Sequence, residues 1–343
     1  MTTADNHEQL DEIGLTYVSD SSPGISRRRC GRGFRYLLPS GRTLRDPAQK
    51  ARIKSLAIPP AYEDVWICPA PNGHIQATGL DVRGRKQYRY HERWRAFRDH
   101  LKFSDLQQFG AVLPRLRRRV RDDLKADVGS LSFTLAAMVR LLDTVPLRIG
   151  DPDYRDENGT FGATTLENRH LRLDGDIIRL SFTTKGGKRV RRRLQNSRLH
   201  KVLEQIADLP GRELFVWEDD HGDIQPVDSR RLNNYLGEAT GDDDITAKTF
   251  RTWAGSVVAF DTAVSALQQD EAPSIKLLTE AAAKRLHNTP AICRRSYIHP
   301  AVIDLAQSAP HQKLAAKIAQ GQPSVSDLRQ SEAGLMAYLE KAG

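Results

Sequence analysis

The spacing of the apolar residues changes near residue 93, and this change most constrains the fold. Before it, short strand-like segments alternate with turn signals, as in GFRYLLPSG (33–41), EDVWICPAPNGHIQATG (63–79) and GRKQYRYH (84–91). From Trp94 onward, apolar residues recur three and four positions apart, which is the pattern of helices. The sequence therefore predicts two domains that differ in secondary structure.

These patterns divide the chain into three parts. Residues 1–24 are polar and end in SDSSPG, which indicates a flexible leader. Residues 25–92 are expected to form a small, mostly β N-terminal domain. Residues 93–343 are expected to form a larger, mainly α-helical domain.

One interruption of the helical pattern predicts a small antiparallel sheet inside the larger domain. The segment LRLDGDIIRLSFTTKGGKRVRRRL (171–194) has β-branched runs around Asp-Gly and then Gly-Gly, so Lys185 is expected at a hairpin. From Ser197 to the end the pattern is helical, and the segment from about 310 to 343 is expected to be an amphipathic helix. The predicted fold class is α+β.

Composition excludes several classes of protein. The 343 residues suffice for two domains with real cores, and 39% hydrophobic and 28% charged residues are typical of a globular protein. No apolar run approaches the ~18–20 residues that span a bilayer, and the N-terminus lacks a signal pattern, so a cytoplasmic protein without membrane contact is expected. Three scattered cysteines and the lack of P-loop, GxGxxG or HExxH motifs predict no disulfide framework, metal or cofactor.

The positive charge is concentrated in two stretches. The chain has a net charge of +9 and a pI of about 9.5. From Arg83 to Lys125 there are fourteen Lys or Arg against five Asp or Glu, a surplus of nine, and from Lys185 to Arg198 there are seven Lys or Arg and no acid. Two such runs make nucleic acid the leading partner class.

Four short stretches stand out, although each is ordinary by itself. An arginine is favourable at a helix C-terminus, and charged residues three apart usually line a solvated helix face. The last stretch contains Thr-Pro, which starts a helix well because threonine caps it and proline needs no amide partner. The stretches are PLRIG (146–150), FTTKGGK (182–188), KTFRTW (248–253) and LHNTPAICRRSYIHP (286–300).

Together these stretches resemble the type IB DNA topoisomerases, specifically their small bacterial and viral branch. The order Arg148, Lys185, Arg251, Asn288 and Tyr297 is that of the family, as are the 37 residues from the first arginine to the lysine and the nine from Asn288 to the tyrosine. The segments GLDVRGRKQYRYHERW (79–94) and GTFGATTLENRHL (159–171) are also similar to family segments. The resemblance implies a monomer whose two domains form a clamp around double-stranded DNA at the nucleoid.

The resemblance also implies a role for each of these residues. Tyr297 is expected to attack a DNA phosphodiester and form a 3′-phosphotyrosyl link, since a phenolate is a capable leaving group for the return step. Arg148 and Arg251 are suited to stabilise the charge on the non-bridging oxygens. Lys185 is the candidate general acid for the departing 5′ oxygen, with Arg148 as a second source of assistance. The sequence indicates no general base for Tyr297.

Two neighbouring residues compete for the remaining phosphate contact. The family has a histidine or an asparagine nine residues before the tyrosine, and here that position is Asn288, whose amide can donate a hydrogen bond. His287 precedes it, where a glycine is common in the family, and a small shift of the helix would exchange the two. The role is assigned to Asn288, and His287 stays the alternative.

Further positions matching the family suggest contacts with DNA outside the reaction centre. Tyr154 and Thr165 are candidates for phosphate contacts. Gln76, on a strand of the small domain, is a candidate for reading base edges in the major groove, because a glutamine can bind an adenine edge. Candidates for backbone contacts nearby are Arg85, Lys86, Tyr88 and Arg89.

Two other functions compete with an ATP-independent topoisomerase that relaxes supercoils. A tyrosine recombinase uses similar chemistry, but usually has His-x-x-Arg where this chain has Lys248-Thr-Phe-Arg251, and normally begins with a helical domain. A basic DNA-binding protein without catalytic activity is the other alternative. It is disfavoured because all five candidate catalytic residues are present.

Overall fold

The computed structural model describes residues 10–321 and 324–342, without the side chains of residues 99–102, 104 and 105. The chain divides into two compact units, Met1–Lys102 and Phe103–Gly343. Both helices and antiparallel strands are present, so the predicted α+β class is confirmed. Within the described part of the chain, every helix is too short or too polar to cross a membrane.

The first unit is built on a five-stranded antiparallel sheet with strand order β2-β1-β3-β4-β5. One helix, α1 (Pro47–Ser55), starts where Asp46 accepts a hydrogen bond from the amide of Ala48. Ile53 of this helix packs in a small core with sheet residues that include Ile25 and Ile67. The strands are β1 (Ile25–Cys30), β2 (Gly33–Leu37), β3 (Glu63–Ile67), β4 (Ile75–Leu80) and β5 (Lys86–Tyr90).

The segment before this sheet was expected to be a flexible leader over residues 1–24. Residues 1–9 lie outside the described residues. Residues 10–24 contact the first unit: Leu15 is buried, Thr16 forms a β-bridge with Gly73, and the indole of Trp66 donates to the carbonyl of Ser22. Apolar residues at positions 10 and 15 explain the difference, because burying them fixes the polar residues around them.

The second unit is mainly helical. Its hydrophobic core contains residues from most of the helices given below and from the inner face of a three-stranded sheet. The helices of the rest of the chain are α2 (Glu92–Asp123), α3 (Leu131–Thr144), α4 (Pro152–Asn158), α5 (Ser197–Ala207), α6 (Ser229–Thr240), α7 (Ala247–Gln268), α8 (Ile275–Leu286), α9 (Pro290–Ser296), α10 (Pro300–Asp304), α11 (Ala309–Gly321) and α12 (Gln330–Ala342).

The predicted sheet of the second unit is confirmed. It contains β6 (Leu171–Asp174), β7 (Ile177–Thr184) and β8 (Lys188–Gln195), all antiparallel, with Thr184 opposite Lys188 at the hairpin that carries Lys185. A second hairpin, of β9 (Val216–Glu218) and β10 (Ile224–Pro226), lies in the segment that was expected to be predominantly helical. Its strands have three residues each, too few for a periodic pattern.

The C-terminal segment forms two helices, α11 and α12, rather than the single expected one. Helix α12 is an integral part of the core, since Leu335, Tyr338 and Leu339 are almost completely buried. Its buried Glu332 accepts two hydrogen bonds from Arg117 of α2, at 2.8 and 2.9 Å, and Asp143 of α3 binds the same guanidinium. These contacts make α12 a structural element of the second unit.

Candidate active site

Arg148 follows α3 in a segment that is held by backbone hydrogen bonds. The carbonyls of Arg148 and Ile149 accept hydrogen bonds from the amides of Ala163 and Thr164, each at 2.7 Å. The two backbone segments can approach this closely because Gly162 has no Cβ; a Cβ there would lie 2.7 Å from the carbonyl oxygen of Arg148. The pairing of LRIG with GTFGATT therefore fixes the position of Arg148, whose side chain is half-buried.

Lys185 lies at the tip of the β7–β8 hairpin. The turn is closed by Gly186 and Gly187, whose φ angles of 83° and 72° are in the left-handed region that favours glycine. The lysine is exposed, and its ammonium lies 4.6 Å from the centre of the Tyr154 ring, a cation–π distance. The tip thus presents a cation to solvent beside a tyrosine.

Arg251 lies in the first half of α7 and is 4% exposed. Its two terminal nitrogens donate to the carbonyls of Pro146, at 2.5 Å, and Leu286, at 3.1 Å, while its Nε has no hydrogen-bond partner among the described residues. The guanidinium carbon lies 5.0 Å from the centre of the Tyr297 ring. Burial lowers the pKa of Arg251 and Tyr297 opposes that shift.

Tyr297 ends α9 and is held by the middle of α7. A Cβ at Gly255 would lie 2.4 Å from the carbonyl oxygen of Tyr297, so this glycine allows the two backbones to touch. Next to it, the hydroxyl of Ser256 donates to that carbonyl at 3.4 Å and accepts from the amide of His299 at 2.9 Å. Because Arg251 and Gly255 are four residues apart on one helix, the same face of α7 contacts the tyrosine ring and its backbone.

The turn between α8 and α9 carries His287 and Asn288. His287 ends α8 with φ 48° and ψ 53°, a left-handed conformation, which explains why glycine suits this position. The amide oxygen of Asn288 accepts from the backbone of Thr289, and its nitrogen has no partner among the described residues. The donor end of Asn288 is therefore buried and unpaired among the described residues.

Two groups of the site, His287 and Cys293, have pKa values that reflect its burial and its positive charge. Burial, together with repulsion from Arg192, Arg251 and Arg148, lowers the pKa of His287 to about 4. The histidine is therefore neutral at pH 7. Burial raises the pKa of the Cys293 thiol to about 11, against the opposing effect of Arg251, so this buried thiol is uncharged.

The structure brings most of the candidate catalytic residues together. Arg148, Arg251 and His287 line one small cavity, which they share with Arg192 of β8. Tyr297 contacts Arg251 as described. Lys185 lines no part of this cavity and lies at the exposed hairpin tip instead.

The two further candidates of the second unit differ from each other. Tyr154 is partly exposed and its ring contacts the ammonium of Lys185. Thr165 is 2% exposed, and its hydroxyl accepts a hydrogen bond from the amide of Gly162 at 3.0 Å. The hydroxyl of Thr165 therefore serves the turn that holds Arg148, and its contact with a phosphate stays a prediction.

In the first unit, the candidate base reader Gln76 is buried, and its contact with DNA stays a prediction. Its side chain is 3% exposed, accepts from Arg52 at 2.6 Å, and donates to the carbonyls of Gly73 and Pro71 at 2.8 and 3.0 Å. Both ends of the amide are therefore occupied inside the protein, and it has no free edge for a base. The sequence indicated its strand but not which face of that strand is buried.

The other candidates of the first unit reach its surface. Tyr88 is 44% exposed and stacks on Tyr90, with ring centres 5.9 Å apart. Lys86 is exposed and pairs with Asp20, while Arg85 binds Asp81. Arg89 donates to the carbonyl of Ala57 at 3.0 Å.

Comparisons with known proteins agree with this geometry. The family described as "Eukaryotic DNA topoisomerase I, catalytic core" matches residues 91–330, which is 240 of the 343 residues. The chain belongs to the type IB DNA topoisomerase family. A second family, described as "Bacterial DNA topoisomerase IB, N-terminal domain", matches residues 33–81, which confirms the predicted resemblance to the small branch of the type IB topoisomerases.

Individual topoisomerases are similar over most of the chain. "DNA topoisomerase 1B" of Acanthamoeba polyphaga mimivirus is 28% identical over 298 residues, covering 84% of this chain and 88% of the viral protein. "DNA topoisomerase 1B" of Vaccinia virus (strain Copenhagen) is 23% identical over 254 residues, covering 72% and 76%. Neither alternative function, a recombinase or a non-catalytic DNA-binding protein, receives support from these topoisomerase matches.

Sequence reasoning missed three residues of this topoisomerase site: Arg192, Gly255 and Ser256. A signal existed for two of them. Arg192 stands between Val190 and Leu194 on the inner face of a predicted strand, where a charged residue is unusual. Gly255 interrupts a helical pattern, which often marks a close packing contact.

Proposed function

We propose that this protein relaxes supercoiled duplex DNA by cutting and resealing one strand through Tyr297, without ATP or a metal. The observation that carries the proposal is the contact of Arg251 with Tyr297. One face of α7 places a buried guanidinium 5.0 Å from the tyrosine ring and fixes the tyrosine backbone at Gly255. A permanently charged donor beside a nucleophile suits a reaction in which phosphate oxygens gain negative charge.

The reaction exchanges one phosphodiester for another. The hydroxyl oxygen of Tyr297 forms a bond to phosphorus, its proton passes to water, and the bond from phosphorus to the 5′ oxygen breaks. Lys185 protonates that 5′ oxygen and leaves a free 5′ hydroxyl. The cut end rotates, and the hydroxyl then attacks the 3′-phosphotyrosyl link in the reverse reaction.

The remaining site residues stabilise the phosphate. Arg148 and Arg251 bind the non-bridging oxygens, and Arg251 has a free Nε for this purpose. Asn288 donates from its unpartnered amide nitrogen. His287 is the alternative donor, but a neutral imidazole with a pKa of about 4 is a weaker partner for an anion than a cation would be.

We further propose that the protein acts as a monomer on DNA in the cytoplasm, with the two units closing around the duplex as a clamp. The supporting observations are the basic charge of the chain and the cationic side chains on the surface of each unit, with Lys86 on one and Lys185 on the other. The exposed Tyr88 and the partly exposed Tyr154 are further candidates for contacts with DNA.

Plasmid relaxation in EDTA tests the function directly. The wild-type protein is expected to relax supercoiled plasmid without ATP, and denaturation during the reaction should trap protein on the 3′ end of a nicked strand. Peptide mapping should find the DNA on Tyr297, and Tyr297→Phe should form no adduct. A strict requirement for magnesium or ATP, or an adduct on another tyrosine, would contradict the proposal.

A paired substitution separates the two candidate phosphate donors. Asn288→Ala should slow adduct formation by about 10–100-fold, the usual cost of one lost transition-state donor being of this order or larger. His287→Ala should have a much smaller effect. The reverse order would assign the contact to His287.

A further inference from the structure

The last turn of α8 has all four of its terminal carbonyls bound. A helix leaves these four groups without partners inside the helix, and here the backbone amides of His287 and Asn288 bind the carbonyl of Ala283. Arg251 binds the carbonyl of Leu286. The remaining two are bound by a residue outside the family's set of five.

That residue is Arg192 of β8. Its Nη2 donates to the carbonyl of Arg285 and, at 3.4 Å, to that of Lys284. Its side chain lies on the inner face of the strand, and Arg192 is paired with Leu180 of β7. The strand that continues from the Lys185 hairpin is thus hydrogen-bonded to the turn that precedes Asn288.

The charge of Arg192 fits this position. The carbonyl end of a helix carries partial negative charge, and a cation placed there is favourable. Arg192 and Arg251 donate hydrogen bonds to adjacent carbonyls at the C-terminal end of α8. Both also line the cavity that contains Arg148 and His287. The turn leading to Asn288 is therefore held from both sides, by one arginine of the sheet and one of α7.

We propose that Arg192 is a positioning residue for the strand-cleavage reaction, acting through the C-terminal turn of α8 to place the amide of Asn288. The proposal rests on the function proposed above. Arg192 need not touch DNA for this role, because both of its contacts are with protein carbonyls. Its loss frees the last turn of α8, and displacement of a donor by about 1 Å is enough to cost about 100-fold in rate.

The test compares Arg192→Gln with Arg192→Lys in single-turnover adduct formation at saturating DNA. Arg192→Gln should be about 10–100-fold slower than the wild type, and Arg192→Lys should recover part of the rate, since an ammonium can bind one of the two carbonyls. Arg172→Gln is the matched control. Arg172 is an exposed arginine of β6 in the same sheet and outside both basic runs, and its substitution should leave the rate unchanged.

Two further readouts separate positioning from DNA contact and from general destabilisation. The salt dependence of non-covalent DNA binding should have the same slope in Arg192→Gln as in the wild type, whereas loss of a phosphate contact would reduce it by about one. In a double-mutant cycle, adding Arg192→Gln to Asn288→Ala should cost little more, because the two act through one group.

The outcomes are distinguishable. A wild-type rate for Arg192→Gln, additive effects with Asn288→Ala, or a reduced salt slope would each overturn the positioning role while leaving the proposed function intact. Absence of any adduct with the wild-type protein would instead contradict the proposed function itself.

Discussion

Adding one methyl group at Gly255 tests whether its contact with the backbone of Tyr297 positions the proposed nucleophile. In Gly255→Ala, the new Cβ would lie 2.4 Å from the carbonyl oxygen of Tyr297 and 3.1 Å from Cδ1 of Leu286. The first distance is 0.6 Å below the 3.0 Å that real Cβ contacts respect. Because the neighbour is backbone rather than a flexible side chain, the segment that carries Tyr297 has to move by at least about this amount.

A displacement of this size sets the expected loss of rate. If 1 Å costs about 100-fold, 0.6 Å or more costs between about 10-fold and 100-fold, or roughly 1.4–2.7 kcal/mol of transition-state stabilisation. The overpacked contact should also lower the free energy of unfolding by about 1–3 kcal/mol. Both quantities are measurable, as single-turnover adduct formation on supercoiled plasmid and as urea unfolding.

Gly110→Ala separates the two effects. Gly110 lies on α2, where a Cβ would lie 2.2 Å from the sulfur of Met336 and 2.7 Å from the indole of Trp253, both side-chain atoms of the core. This variant should lose stability but keep an adduct rate close to that of the wild type. A Gly255→Ala protein that is folded and reacts at the wild-type rate would refute the reasoning that this glycine positions Tyr297.

Three other perturbations test the electrostatics. The pKa of His287 is lowered from about 6.5 to about 4, so between these pH values the unfolded chain binds a proton that the folded protein does not. The free energy of unfolding should therefore fall as the pH drops from about 6.5 to about 4. In His287→Gln, the free energy of unfolding measured with urea should depend less on pH in that window. Glu332→Ala removes one of the two carboxylates that bind the buried Arg117, while Asp143 remains, so unfolding should become easier by about 1–3 kcal/mol. An unchanged urea midpoint would show that Asp143 alone satisfies Arg117. Lys185→Ala should slow adduct formation by about 10²–10⁴-fold on normal DNA. The loss should be much smaller on DNA in which sulfur replaces the 5′ oxygen, because a thiolate leaves without being protonated. Equal losses of rate on both substrates would refute the general-acid role.

The parts of the fold that were predicted correctly depend on neighbours in sequence. The Gly-Gly turn places Lys185 at a hairpin because glycine adopts positive φ freely, and Thr289-Pro290 starts α9 because the threonine hydroxyl accepts from the amide of Ile292. Each signal spans only a few residues. The very short strands of the β9–β10 hairpin left no comparable signal.

The features that the sequence did not reveal concern burial and hydrogen-bond partners, which are not local. Gln76 and Thr165 have residue types and positions suited to DNA contacts, yet both are buried and bonded within the protein. Residues 10–24 are polar by composition, but the burial of Leu15 fixes them against the first unit. Which face of a strand or loop is covered depends on what the rest of the chain places over it.

The sequence by itself determined the α+β class, the turn that carries Lys185 and the five residues that resemble a known catalytic set. Tertiary structure alone decided that Arg251 lies against Tyr297, that Gly255 lets two backbones touch, and that Arg192 ties the sheet to the turn before Asn288. The physical reason is the distance along the sequence between the residues in contact. Turns and caps are stabilised by hydrogen bonds between residues a few positions apart, whereas these contacts join distant positions and exist only when the core has packed.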